Sequence, residues 1–337
     1  MSRPVNISEN FCSLKVLVAP LDWGLGHYTR CIPLIRKLLA QQNEVTLAAT
    51  EAGAALLRKE FPSLNILTIP SYGIRYPQKG TWFMWKMLLQ LPDIYRAIRK
   101  ENKWLNKLQQ EKNFDVVISD NRMGLYHPDI TCVYITHQLA IRTGHVVTDF
   151  FARKLHYHFI EKFTVCWVPD QEGHQNLAGA LSHPNKKPNI PLLYIGPLSR
   201  FVKIEAEKKF DIVYLISGPE PQRSIFEDLL IGCIKNSTEK IVIVRGLPEN
   251  TDTPISLPSN VEVYNHLPAK QLNELLASAK KIVARSGYST IMDLEVLGVN
   301  AILVPTPGQT EQEYLASYLL KSGKHEVRMQ DELRTRC

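Results

Sequence analysis

Short β-branched runs alternate with helix-forming stretches almost from one end of this chain to the other. In the first half the runs are Leu14 to Ala19, Glu44 to Ala49, Leu64 to Ile69, Phe114 to Ser119, Thr131 to Thr136, Thr164 to Val168 and Leu192 to Ile195. A polar, lysine-rich stretch, Ser199 to Lys209, follows Gly196-Pro197. The alternation then restarts with Asp211 to Ile216, Lys240 to Val244, Val261 to Tyr264, Lys281 to Ala284 and Ala301 to Val304. Strands that alternate with helices predict βαβ units and parallel sheets. A chain of 337 residues fits two doubly wound α/β domains better than one oversized sheet. The expected division is 1–198 for the first Rossmann-like domain, 199–209 for a linker and 210–337 for the second. The default site is an interdomain cleft. The last stretch, Ser317 to Cys337, starts helical and ends charged.

Composition narrows the classes. Hydrophobic residues make up 45% of the chain, enough for two cores. The six cysteines, Cys12, Cys31, Cys132, Cys166, Cys233 and Cys337, are scattered without a C-x-x-C pair. That argues against a zinc site or a disulfide framework and for a reducing compartment. Met1 to Ser13 is polar, unlike a signal peptide, and no run approaches the ~20 apolar residues that span a bilayer. A cytoplasmic protein, at most at the inner face of a membrane, is the expectation. The net charge of +7 favours anionic partners such as nucleotide sugars or lipid surfaces. No recognised nucleic-acid module accompanies it.

Two loops of the second half carry chemistry. The strand Lys281 to Ala284 runs into Arg285-Ser286-Gly287-Tyr288-Ser289-Thr290 and then an apolar helix containing Asp293. A helix start offers free N–H groups and positive dipole to a diphosphate, and Asp293, one turn in, is within reach of a ribose. The same pattern also reads as an ordinary helix N-terminus. After the next strand come Gln309, Glu311, Gln312 and Glu313. These fall at the same carboxyl edge of a parallel sheet, where open α/β sheets bind ligands. A carboxylate beside an amide suits vicinal sugar hydroxyls.

In the first half, Asp22-Trp23-Gly24-Leu25-Gly26-His27-Tyr28-Thr29-Arg30 leads from the first strand into a helix beginning near Cys31. Gly24 and Gly26 let the backbone approach a ligand. Thr29 replaces the third glycine of G-x-G-x-x-G, and only Glu51 stands near the position of the ribose-binding acid, so a nicotinamide site is a poor fit. His27 reads either as a general base, its ordinary pKa lying near working pH, or as a structural cap. Asp22 either orients it or simply caps the turn.

Taken together, Gly24-Leu25-Gly26-His27, Arg285-Ser286-Gly287 through Asp293, and Glu311-Gln312 resemble the family 28 glycosyltransferases of GT-B fold. The best-known member of that family moves N-acetylglucosamine from its UDP form onto lipid I. The resemblance implies that Asp293 holds the ribose hydroxyls in place of the family's glutamate, that Ser286 to Thr290 line the diphosphate, and that Gln312 with Glu311 or Glu313 holds the donor sugar. Where that enzyme has two glutamines this chain has Gln312-Glu313, which leaves the donor sugar open. By the same resemblance Ser217-Gly218 through Arg223 stand in for a phosphate loop, with Arg223 pairing to phosphate, and His266-Leu267 meet the base; read from the residues alone, the first is also a turn before a helix and His266 a structural histidine. Thr136-His137-Gln138 matches an acceptor-side loop, which makes His137 a second base candidate. Asp120-Asn121-Arg122 either lines the same cleft or caps its strand.

No D-x-D triplet occurs, which favours a transfer that needs no metal and no cofactor beyond the UDP-sugar substrate. Between Tyr72 and Lys107, Trp82, Phe83, Trp85, Met87, Leu88 and Leu89 precede Arg96, Arg99, Lys100, Lys103 and Lys107. This reads as a peripheral membrane contact or as a core helix followed by a solvated one. The leading expectation is inverting transfer from a UDP-sugar to an acceptor hydroxyl, on a saccharide or a lipid-linked glycan, with His27 as base. A nucleotide-sugar hydrolase is the nearest rival, since Gly24-x-Gly26-His27-x-x-Arg30-Cys31 also resembles the loop of the UDP-sugar hydrolase of pseudaminic acid biosynthesis. A non-catalytic nucleotide-sugar binding protein is the third.

Overall fold

The structure is a computed structural model and describes residues 11–22, 24–73, 83–234, 237–247 and 257–336. The chain divides into two units, the first holding the described residues up to Leu198 and the second those from Ser199 on. Each is a wholly parallel sheet flanked by helices.

The first unit has seven strands: β1 (Lys15–Pro20), β2 (Glu44–Ala49), β3 (Asn65–Thr68), β4 (Val116–Asp120), β5 (Thr131–Ile135), β6 (Val165–Val168) and β7 (Leu192–Tyr194). Their order across the sheet is β3-β2-β1-β4-β5-β6-β7. Its helices are α1 (Leu25–Ala40), α2 (Glu51–Glu60), α3 (Phe83–Lys112) and α4 (Val146–Ile160). Side chains alternate across the sheet, so β1 feeds two cores. Val16 and Val18 pack with α1 residues such as Ile32, Ile35 and Leu38, whereas Leu17 and Ala19 pack with Leu105 of α3 and Ile160 of α4. Burial on both faces explains why these strands read as continuous apolar runs.

The second unit holds β8 (Phe210–Leu215), β9 (Ile241–Val244), β10 (Val261–Tyr264), β11 (Ala279–Ala284), β12 (Ile302–Leu303) and β13 (Glu326–Val327), in the order β10-β9-β8-β11-β12-β13. Its helices are α5 (Gln222–Ile234), α6 (Ala269–Ala277), α7 (Tyr288–Leu297), α8 (Thr310–Ser322) and α9 (Gln330–Arg336). In both sheets the strand order reverses beside the first strand, between β1 and β4 and between β8 and β11. Such switch points leave a crevice outside the strand ends.

Three local expectations change. Helix α1 starts at Leu25, six residues before Cys31, because Gly24 at φ 96° makes the turn that a residue with a Cβ resists. The stretch 199–209 is packed on the second unit instead of running free. Phe201 is buried, and the Asn273 amide accepts from Val202 N at 2.9 Å and donates to Val202 O at 3.1 Å. After Ser322 the chain turns at Gly323, φ 70°, and adds β13 before its last helix. Cys12, Cys31, Cys132 and Cys166 are free thiols. Cys233 is disulfide-bonded, which the scatter of cysteines does not predict.

Candidate functional site

In the first unit Pro20 at the end of β1 lies in register with Asp120 at the end of β4. The chain leaves β1 through the Gly24 turn and enters α1, which places His27 in the first helical turn above that pair. His27 Nδ1 is 3.0 Å from Asp120 Oδ2, and Asp120 is fully buried. One turn on, Arg30 donates through Nε to Asp120 Oδ2 at 2.9 Å and through Nη2 to Oδ1, and Nη2 also lies 2.8 Å from His27 Nδ1. Cys31 Sγ faces the same carboxylate at 3.7 Å.

Charge fixes the protonation states. Burial alone would raise the Asp120 pKa, but the Arg30 guanidinium and the imidazole together hold its carboxyl well below the usual carboxylate range. Burial, then the Arg30 charge, lowers the pKa of His27 against the opposing pull of Asp120, so the ring is neutral at neutral pH. An ionised carboxylate at Nδ1 favours the proton on that nitrogen, whereas Arg30 Nη2, which can only donate, competes for its lone pair; the tautomer protonated on Nδ1 leaves Nε2 as the free acceptor. His137, after β5, is buried, and its charge acts on His27 in the same direction as that of Arg30.

Asp22, the expected orienting group, does something else. It faces the Arg122 guanidinium at 3.4 Å, and Arg122 is a buried clamp that donates to Pro20 O at 2.9 Å, to Pro70 O at 3.0 Å and to Glu101. Asp120 therefore takes the role expected of Asp22, and Arg122 is structural. Arg30, three residues after His27, was legible from helical spacing once α1 was known to begin at Leu25.

In the second unit Leu215 of β8 pairs with Ala284 of β11, so the Ser217-Gly218 loop and the Arg285-to-Thr290 loop leave the same switch point. Gly287 caps α7 without a side-chain bond. Gly287, Ser289 and Thr290 are partly exposed, whereas Arg285, Ser286 and Tyr288 are buried. Ser286 Oγ donates to Gln312 O at 2.9 Å and ties this loop to the start of α8. Asp293, one turn into α7, accepts from Ser199 Oγ. Burial raises its pKa to about 6, against the Ser199 bond and the Arg200 charge. Ser199 had no signal in the sequence.

Several donor-site candidates have partners within the second unit. Arg285 stacks on Phe226 with 4.0 Å to the ring centroid and donates to Pro305 O at 3.2 Å, Gln222 O at 3.3 Å and Gln330 Oε1 at 2.7 Å. Its side chain is buried within the unit. Arg223 is likewise taken up, by Glu220 at 2.5 Å and Glu227 at 2.8 Å, beside Arg245, which also pairs with Glu227. Gln312 Oε1 accepts from Thr306 N at 3.0 Å and its amide donates to Gln309 at 2.6 Å, while Glu313 accepts from Gly308 N at 2.8 Å. Gln309, Gln312 and Glu313 thus shape the turn before α8, with Glu311 half-buried beside them. His266 is half-buried and Leu267 buried after β10, two strands out from β8. Among the described residues no group of three His, Cys, Asp or Glu is placed to hold a metal.

Comparison with known proteins agrees with this arrangement. Residues 213–336 match the glycosyltransferase family 28 C-terminal domain. Over 92% of the chain and 84% of the relative, the sequence is 24% identical to an uncharacterized glycosyltransferase of Methanosarcina mazei. A stretch of 48 residues, 14% of the chain, is 48% identical to the UDP-N-acetylglucosamine--N-acetylmuramyl-(pentapeptide) pyrophosphoryl-undecaprenol N-acetylglucosamine transferase of Methylobacterium sp. (strain 4-46), of which it covers 13%. Among solved structures, the spinosyn rhamnosyltransferase SpnG superposes with a TM-score of 0.68 at 16% identity, covering 96% of this chain and 90% of that one. The calicheamicin glycosyltransferase CalG4 superposes at 0.65 and 14% identity, covering 95% and 86%. These two are GT-B proteins, and the likeness fixes the fold.

Proposed function

We propose that the chain, whose residues 213–336 match the family 28 C-terminal domain and whose fold is that of GT-B proteins, is a glycosyltransferase that moves a sugar from a UDP-sugar to an acceptor hydroxyl, with inversion and without a metal. The contact between His27 and Asp120 carries this reading. Nε2 of His27 takes the acceptor proton as the acceptor oxygen attacks the anomeric carbon. The bond from that carbon to the diphosphate oxygen breaks, and UDP leaves with the electron pair. Asp120 stabilises the imidazolium that forms, the role a buried carboxylate plays behind a catalytic histidine.

The donor side rests on the start of α7. The helix start at the partly exposed residues Gly287, Ser289 and Thr290 offers N–H groups and dipole to the diphosphate charge, and Asp293 accepts from ribose hydroxyls once Ser199 yields. The half-buried Glu311 faces the sugar, with Gln312 placed by its own turn. The short match to a UDP-N-acetylglucosamine transferase favours uridine as the base. The SpnG complex with thymidine diphosphate makes thymidine the alternative to test. The acceptor is a saccharide or a lipid-linked glycan.

A thermal-shift panel of UDP, dTDP, GDP and CMP compounds tests the donor. A ligand at 100 times its dissociation constant stabilises by about 2.7 kcal/mol, and a flat response to all four overturns the reading. UDP release measured with and without acceptor extracts separates transfer from hydrolysis. Fast release from a UDP-sugar that no acceptor accelerates assigns the same base to water.

A further inference from the structure

Of the segment expected to meet a membrane, residues 74–82 lie outside the described residues, Trp82 among them, and α3 exposes Arg96, Arg99, Lys100 and Lys103 to solvent. The second unit carries a built surface instead. Beside α6 lies a cavity of about 660 Å³. Its apolar lining is the buried Leu267 and Leu275 with the half-buried Ile204 and Phe210. Tyr264, 38% exposed, adds a ring to this lining, and its hydroxyl donates to Glu262 at 2.9 Å.

One wall of the cavity, Ile204 to Glu207, is fixed at both ends. Before it, the Asn273 amide holds Val202 N and O. After it, Lys208 Nζ donates to Ala277 O at 2.9 Å and Lys209 N donates to Ser278 O at 2.9 Å. Between these points the chain belongs to no helix or strand, and its backbone makes no hydrogen bond to another described residue. Open backbone donors and acceptors beside pockets for alternate side chains are what an added extended peptide uses. The rim is acidic in a chain whose net charge is +7. Glu205, Glu207, Glu262 and Glu274 are exposed around the cavity against one cation, Lys209, and none of the four is in an ion pair among the described residues.

We propose that this cavity docks an extended peptide segment of a partner protein in which Lys or Arg alternates with apolar residues. Successive side chains of an extended chain point to opposite sides. The apolar set seats on Leu267, Leu275 and the Tyr264 ring, the cations reach the rim carboxylates, and the peptide backbone bonds to that of residues 204–207. Charge complementarity selects the sign of the partner and excludes its mimics. A small polyamine would satisfy the carboxylates but leave the apolar lining and the open backbone unused. A second copy of the chain fits poorly, because a two-fold interface sets a patch against itself and would oppose the four carboxylates to their own images. The proposal is independent of the sugar-transfer reading. Leu267, the one lining residue also expected near the nucleotide base, is left unchanged in the test.

Fluorescence anisotropy of a short labelled peptide alternating Lys with Val, titrated with the full chain, tests it. The wild type is expected to bind this peptide, less tightly as salt is raised, and not to bind the peptide alternating Glu with Val. Methylating the peptide nitrogens should weaken binding about tenfold, since main-chain bonds supply affinity in this mode. Glu205→Lys with Glu207→Lys, and separately Tyr264→Ser, should each weaken it about tenfold or more without lowering the melting temperature of the free chain. The two variants lie on different segments, so misfolding of one leaves the other decisive. No binding, equal binding of the acidic peptide, indifference to both variants, or equal affinity for spermine overturns the proposal. So does a dimer in sedimentation that Glu205→Lys with Glu207→Lys dissolves.

Discussion

His27 and Asp120 stand 93 residues apart in the chain and 3.0 Å apart in space, because β1 and β4 are neighbours with Pro20 in register with Asp120. A histidine with a buried carboxylate at Nδ1 presents its other nitrogen as a base. His27→Ala should abolish turnover while leaving nucleotide binding intact. Asp120→Asn removes the charge that selects the tautomer and should lower kcat by about a thousandfold or more with little change in donor KM. It also leaves Arg30 buried without its counter-ion, so a stability loss of about 3 kcal/mol is expected. Retained kcat in folded Asp120→Asn protein would remove Asp120 from the mechanism.

Arg30 sets the acid limb of the rate profile. The base works only when neutral, and burial together with the Arg30 charge lowers the His27 pKa from 6.5, so kcat should hold below pH 6.5 before it falls. Arg30→Met removes the cation and should move that limb to higher pH. Stability follows the same shift. Below pH 6.5 the unfolded chain binds the proton more readily than the folded one, so His27 contributes stability that is present above 6.5 and is lost as pH falls through the folded value. An Arg30→Met profile that overlays the wild type would rule this role out.

The five inner strands of the first unit were legible because burial on both faces leaves continuous apolar runs bounded by turns, and the partly buried edge strands β3 and β7 still carry short apolar runs. Helix α1 was read too short because Gly-Leu-Gly looks like loop, although only Gly24 makes the turn and Gly26 is already helical. β13 pairs through two residues at a sheet edge, too few for a hydrophobic period. Asp120 was legible as a strand-end carboxylate, but its partner depends on strand order, which local sequence does not encode. The partners of Arg223 and Arg285 were not legible for a related reason. Both stand in phosphate-like loops, and the direction of a side chain is decided by what packs beneath it, Glu227 in one case and Phe226 in the other.

Arg285 therefore predicts a stability phenotype. Its guanidinium is buried, with burial lowering its pKa to about 10, and it spans Phe226, two backbone segments and Gln330. Arg285→Lys keeps the charge but loses the planar fork and the stacking, so it should not rescue. Arg285→Lys and Arg285→Ala should each cost about 2–4 kcal/mol in chemical denaturation. The affinity of the remaining folded protein for UDP should change little. A variant of normal stability with much weaker UDP binding would return Arg285 to the phosphate site.

Asp293 predicts the opposite pH dependence for folding and for donor binding. Burial raises its pKa from 3.8 to about 6, so between those values the folded chain binds the proton more readily than the unfolded one. The stability this contributes is present below 3.8 and is lost as pH rises through about 6, amounting to about 3 kcal/mol at most. Ribose hydroxyls, by contrast, need the ionised carboxylate as acceptor, so UDP affinity should rise as pH increases through about 6. Ser199 bonds to the ionised form and pulls the pKa down. Ser199→Ala should therefore move the binding transition to higher pH, and Asp293→Asn should remove it while stabilising the fold near neutrality. Calorimetric titration of UDP across this range checks both signs, and a flat affinity profile in the wild type would exclude Asp293 as the ribose acceptor.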